Sequence, residues 1–200
     1  MIRESDIFVI LDNVNFQKKG FINRNLIKSY KSEQAFTVPL SKASQNKKIY
    51  EISTFNWPEF RSDLRNKICQ TLKLSPNFDE ALYLFDQVAV LNTTSLLELN
   101  KATLEVVCAK FEINSDIVLA SEVSNTSSKG QQLILDICEE LSATEYINLP
   151  GGKNLYSKDK FWRHGVELKF MNQSCLKLPV ELEFLRFSSI LSAVAYGLKV

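Results

Sequence analysis

From residue 95 onward the apolar residues of this chain switch repeatedly between two spacings, and that alternation constrains the fold more than any other feature. Leu97, Leu104, Cys108 and Phe111 recur at intervals of seven, four and three, as one face of a helix requires, with Thr94 or Ser95 able to cap it. Ile117 to Ala120 is a short apolar run of strand length. Behind Ser128, the residues Leu133, Ile134, Ile137, Cys138 and Leu141 form a second helical stripe. Tyr146 and Ile147 read as a short strand, a short helix ends at His164 and Gly165, and VELKF alternates as a half-buried strand. A last helix is expected from about residue 183 to 198, burying Phe187, Ile190, Leu191 and Val194. This order predicts an α/β layered fold with a mostly parallel sheet and helices on both faces.

The first half of the chain is less regular. Ile7 to Leu11 is a continuous apolar run, as expected of a parallel strand covered on both faces. Gln34 to Val38 and Ile49 to Ser53 flank the polar loop SKASQNKK and predict a small antiparallel hairpin near residues 34–53. A helix is expected over residues 57–74, because Pro58 suits a first turn and Ser75 with Pro76 ends it.

With 200 residues, six Gly, five Pro and no repeat, the chain is expected to form one domain over residues 1–200. A chain of this length buries roughly 70% of its unfolded surface, so it needs no disulfide staple. Cys69, Cys108, Cys138 and Cys175 are widely spaced and read as small core residues of a reducing compartment. With a single histidine and no C-x-x-C pair, neither a metal site nor a cofactor is implied. No apolar run approaches the ~20 residues of a membrane span, and the expected location is the cytoplasm. Lys and Arg outnumber acids nine to four in residues 1–50 and eight to four in 151–200, whereas acids lead fifteen to seven between them. Basic flanks favour a small anionic substrate, and no stripe is dense enough for nucleic acid.

Three polar segments follow strands directly: 12–25, 121–130 and 148–156. In a parallel sheet they would converge beyond the carboxyl ends of the strands, where ligands bind. The first offers Asp12, Asn15, Lys18, Asn23 and Arg24. Asp12 can act as a general base or hold Arg24 in an ion pair, and Arg24 can grip a phosphate or carboxylate bidentately. In the second, Ser128, Lys129 and Gly130 stand where a loop enters a helix and unpaired N–H groups can face an anion, although the P-loop spacing is absent. In the third, Gly151 and Gly152 let backbone approach a ligand closely. Gln45 lies in a further polar loop with Lys42 and Lys48. His164 is the one histidine, readable as an acid or base or as part of a helix end capped by Gly165.

The stretch LDNVNFQKKGFINRN, residues 11–25, resembles the signature of the WbqC-like family, whose genes often lie in bacterial O-antigen and surface-polysaccharide clusters. PLSKASQNKKIYEI, KGQQLILDIC, YINLPGGKNLY and FLRFSSILSAVAYG resemble further blocks of that family in the same order. The resemblance adds Asn148 to the site residues. Gln132 stands where the family commonly has Arg, and Ala193 and Tyr196 stand near family Asp and Asn positions. Family members usually begin with a strand and a Q-P-x-Y-x-P-x-x-G-Y-F motif that this chain lacks ahead of Met1. The chain therefore reads as truncated or mis-started, with an apolar sheet edge exposed.

The resemblance implies a transferase that modifies a sugar in O-antigen or other surface-polysaccharide biosynthesis, by glycyl or acyl transfer to an amino sugar. Asp12 or His164 would act as base, with Asn15, Lys18, Asn23, Arg24, Gln45, Ser128, Lys129, Gly130, Asn148, Gly151 and Gly152 binding substrate. The alternative is a noncatalytic nucleotide-sugar or phosphate-binding module. An interaction subunit docked through the acidic middle is a third reading.

Overall fold

The structure, a computed structural model, describes residues 1–171 and 188–197. In chain order its elements are β1 (Ile7–Ile10), β2 (Arg24–Lys28), β3 (Glu33–Thr37), β4 (Leu40–Ser41), β5 (Ser53–Thr54), α1 (Trp57–Leu72), α2 (Phe78–Ala89), α3 (Leu96–Lys110), β6 (Asp116–Leu119), α4 (Ala120–Val123), α5 (Gln131–Glu140), β7 (Glu145–Asn148), α6 (Lys158–Arg163), β8 (Glu167–Phe170) and α7 (Ile190–Ala195). The fold is mixed α/β, as the sequence predicts. Its strands form two parallel and two antiparallel pairs. The chain divides into two compact units, Met1–Asp12 with the residues from Ile113, and Asn13–Glu112 with residues 188–197. Residues 183–187 and 198, part of the expected last helix, and Cys175 lie outside the described residues. Among the described residues no helix is long and apolar enough to cross a membrane.

Unit 1 carries the parallel strands. β1 pairs with β6, Ile7 opposite Asp116 through Ile10 opposite Leu119. β7 pairs with β8, Glu145 opposite Glu167 through Asn148 opposite Phe170. Ile134, Leu135 and Cys138 of α5 pack with Phe161 of α6 and with Val166 and Leu168, and Tyr146 stacks on Phe161 at 5.5 Å. Phe161 is completely buried, worth about 1.5–3 kcal/mol for its side chain. In β8 Leu168 points inward while Glu167 and Lys169 point out, the alternation expected of VELKF.

β1 is less covered than its apolar composition predicts. Its residues are half-buried or exposed, because a cavity of about 630 Å³ lies along it. That cavity is lined on one side by Ile7, Phe8 and Val9, on another by Glu145 to Asn148, and by Ile134, Ile137 and Cys138 of α5. The Asp116 N–H donates to the Asp6 carbonyl, and the Glu167 N–H to that of Thr144. Strand alternation then turns the N–H groups of Ile7, Val9, Glu145 and Ile147 away from their paired neighbours. The outer edges of β1 and β7 are thus open.

Unit 2 is helical around an antiparallel pair. Leu64, Ile68 and Leu72, four residues apart on α1, meet Ala81, Leu84 and Phe85 of α2, Ile27 of β2, and Val194 and Ala195 of α7. The helix α2 was not anticipated, although Ala81, Leu84, Phe85 and Val88 have helical spacing. Ser95 caps α3, its hydroxyl accepting the Glu98 N–H at 3.2 Å.

The hairpin expected near residues 34–53 takes a different register. β3 pairs with β2, a strand hidden inside the polar motif, while β4 and β5 form their own short pair. Ile49–Glu51 is a 3-10 turn, held by Glu51 accepting the Lys48 N–H at 2.6 Å, and so cannot continue a strand. In amide hydrogen exchange, Ile7, Val9, Glu145 and Ile147 should exchange faster than Phe8, Ile10, Tyr146 and Asn148, and equal protection would contradict the open edges.

Candidate functional site

In unit 1 the segments that follow the strands are tied together in series. Asp12 ends the first stretch of unit 1, directly after β1, and is completely buried. Its Oδ1 accepts the Ser121 backbone N–H at 2.9 Å and its Oδ2 accepts the Ser121 hydroxyl at 2.5 Å. Ser121 lies at the start of α4, immediately after β6, so the carboxyl ends of β1 and β6 are joined and an otherwise orphaned helix N–H is satisfied. The second tie links α5 to α6. The Ser157 N–H donates to Gln131 Oε1 at 2.7 Å, fixing the segment after β6 to the segment after β7. The buried Nε2 of Gln131 has no partner among the described residues.

Between these ties lies a hydroxyl and carboxylate cluster. The Thr126 hydroxyl donates to Asp136 Oδ2 at 2.5 Å and lies 2.9 Å from the Ser128 hydroxyl, while Gln132 Nε2 donates to Asp136 Oδ1 at 2.8 Å. Hydrogen bonds from Thr126, Gln132 and Ser128 hold the Asp136 carboxyl below the usual carboxylate range, with nearby His164 adding to the effect. Ser128 does not cap the helix it precedes. Gly130 occupies the N-cap with φ 57° and ψ −133°, no side chain caps α5, and Ser128 turns back to Thr126 instead. The first N–H groups of α5 therefore lack a capping side chain, beside the exposed Lys129 and Gly130.

Asn148 ends β7, and its Oδ1 accepts the Leu149 N–H at 2.7 Å. Its amide nitrogen lies where a side chain on Gly152 would go: a Cβ there would approach Asn148 Nδ2 to 2.7 Å. Gly151 is exposed with open space around it. His164 ends α6, exposed, with Nδ1 2.8 Å from the Lys160 carbonyl. Since a carbonyl only accepts, Nδ1 carries the proton in the neutral ring and Nε2 presents a lone pair.

The other predicted site residues belong to unit 2. In place of an ion pair with Asp12, Arg24 donates through Nε to the Gly20 carbonyl at 3.0 Å and through Nη2 to the Lys19 carbonyl at 2.5 Å, its guanidinium 5.8 Å from the Phe21 ring. Asn23 is buried and donates to the Val38 carbonyl at 2.9 Å. Asn15 bridges to Lys48, and Asn15, Lys18 and Gln45 are exposed.

Cys108 and Cys138 are buried, and burial pushes the Cys138 thiol up to about 11, which keeps it protonated and unreactive. No cluster of ligands for a metal exists among the described residues. Sequence reasoning missed Ser121, Thr126, Gln131 and Asp136 as organising residues. The spacing of Gln132 and Asp136, four apart on one helix, could have pointed to their contact, but nothing local pairs Ser121 with Asp12.

Gly152→Ala should cost about 1–3 kcal/mol in urea unfolding because Asn148 must move, whereas Gly151→Ala should stay within about 0.5 kcal/mol. Equal stability of the two variants would show that the Asn148 packing is wrong.

The chain is 26% identical over 167 residues to the uncharacterized protein Rv1507c of Mycobacterium tuberculosis, covering 78% of this chain and 68% of that protein. No solved structure matches it. The model of the WbqC-like protein family matches residues 1–195, and the chain belongs to that family.

Proposed function

We propose that the protein is a cytoplasmic transferase that modifies a sugar in the biosynthesis of O-antigen or another surface polysaccharide, passing a glycyl or other acyl group to an amino sugar. The observation that carries this reading is the series of ties in unit 1, in which Ser121 holds Asp12 and Ser157 holds Gln131, so that the uncapped start of α5, next to Lys129, is linked to the segment that follows β7. Unpaired N–H groups and an ammonium suit the phosphates of a nucleotide sugar or an activated acyl donor. Ser128, Gly130, Asn148 and Gly152 shape the two loops.

For the proton taken from the attacking amine, His164 suits the role better than Asp12. Its Nε2 has a free lone pair in the neutral ring, whereas both Asp12 oxygens are engaged by Ser121 in full burial. That burial also favours a second reading, a noncatalytic module that binds nucleotide sugars or phosphate, because it removes one of the two candidate bases.

Mass spectrometry of the full chain incubated with UDP- and dTDP-linked amino sugars and an activated glycine donor separates the two. Transfer predicts a mass gain on the sugar, reduced about 10- to 100-fold in Lys129→Ala and about 100-fold or more in His164→Gln. A melting shift with a nucleotide sugar but no product would establish the binding module, and no response of either kind would remove both readings.

A further inference from the structure

A cavity of about 190 Å³ opens in unit 2, within a single compact unit and apart from the loops of unit 1. Most of its wall is aromatic or aliphatic, with Trp57, Leu84, Phe85, Leu99 and Val106 among the residues that form it. The register of β2 on β3 decides which strand side chains face it. Asn25 stands opposite Phe36, and both line the cavity with Val38. Arg24 stands opposite Thr37, and strand alternation turns those two side chains to the other face. Among the described residues, the side chains that face the cavity are therefore uncharged.

The polar part of the lining is neutral and gathers around β2. Asn100 Nδ2 donates to the Ile22 carbonyl at 3.0 Å, and Asn23 Nδ2 to the Val38 carbonyl at 2.9 Å. Each of these amides keeps an Oδ1 acceptor that has no hydrogen bond among the described residues. Asn25 is the reverse, since its Oδ1 accepts the Leu26 N–H at 2.8 Å while its Nδ2 donors are unengaged among the described residues. Ser189, only 4% exposed, is held beside β2 by its N–H on the Leu26 carbonyl, and its hydroxyl has one long contact, 3.4 Å to that of Ser192. The Thr103 hydroxyl and the Trp57 indole are already committed to the Leu99 and Leu91 carbonyls.

We infer that this cavity is a binding site for a small uncharged ring compound bearing one hydroxyl, its ring against Trp57, Phe85 and Leu99 and its hydroxyl at the Asn25, Asn23 and Asn100 amides. A carboxylate would enter with its charge unpaired, a large cost beside apolar walls. A bare hydrocarbon would cut the open amide groups off from water and give them no partner. A hydroxyl answers both kinds of group with one oxygen, accepting from Asn25 Nδ2 and donating to an Oδ1. Size agrees, since an apolar cavity of about 150 Å³ accepts a benzene ring. The inference rests on unit 2 alone and does not depend on the transferase reading.

Calorimetric titration of the full chain with p-cresol, with toluene, which lacks the hydroxyl, and with benzoate tests the site. The cresol should bind about tenfold or more tightly than benzoate, because no cation faces the cavity. Asn25→Leu should lower the ratio of cresol affinity to toluene affinity about fivefold, the worth of one neutral hydrogen bond. Val38→Trp, which puts a large ring into the cavity, should block the cresol while leaving cooperative unfolding intact. Absence of cresol binding, benzoate binding of equal strength, a ratio unchanged in Asn25→Leu, or cresol binding that survives Val38→Trp would overturn the assignment. The comparison of cresol with benzoate needs no variant, so it decides even where a substitution unfolds the chain. Because no probe carries a nucleotide or a sugar, a null result here is distinct from failure of the transfer assay.

Discussion

A completely buried carboxylate must find partners or destabilise the fold, and Asp12 finds both in one residue, Ser121. Each strand of the β1–β6 pair has only four residues, so the pair gains little from length and much from a fixed end. The two hydrogen bonds from Ser121 reach across the ends of these strands and orient the start of α4. Hydrogen bonds to a charged acceptor are worth about 1.5–3 kcal/mol, more than an ordinary neutral pair. Everything that follows β6 in unit 1, from the Thr126 and Asp136 cluster to the start of α5, leads away from this anchor. The Gln131 to Ser157 bond then carries the arrangement on to α6.

The same geometry separates residues that stand close together in sequence. Asp12 closes the first stretch of unit 1, while Asn13 onward belongs to unit 2, so the polar motif of residues 11–25 serves two bodies. In unit 1 it supplies a buried tie. In unit 2 it supplies β2, the Arg24 turn over Lys19 and Gly20, and part of the lining of an apolar cavity. A signature so dense in charge is therefore compatible with mostly structural use of several of its members, Asp12 and Asn23 above all.

How much of this could be read from sequence depends on whether the deciding contact is local. The stripe of Leu133, Ile134, Ile137 and Cys138 and the alternation in VELKF are local patterns, and α5 and β8 lie where they indicate. Strand β2 was hidden because Arg24, its first residue, read as site chemistry, although Leu26 and Ile27 further along it are apolar. α2 was passed over despite its helical spacing. The cap of α5 was not legible because serine normally wins that position, yet Thr126 and Asp136 draw Ser128 away and leave Gly130 in a conformation that glycine alone adopts readily. The Asp12 to Ser121 tie joins residues 109 positions apart, and no local pattern encodes such a pairing.

A double-mutant cycle on Asp12→Ala and Ser121→Ala, read by urea unfolding, tests most directly whether this tie organises unit 1. The Ser121 backbone N–H survives in the serine variant, so the cycle isolates the hydroxyl bond, and a coupling of about 1.5–3 kcal/mol is expected. Additive single effects, with coupling below about 0.5 kcal/mol, would contradict the central place given to Asp12.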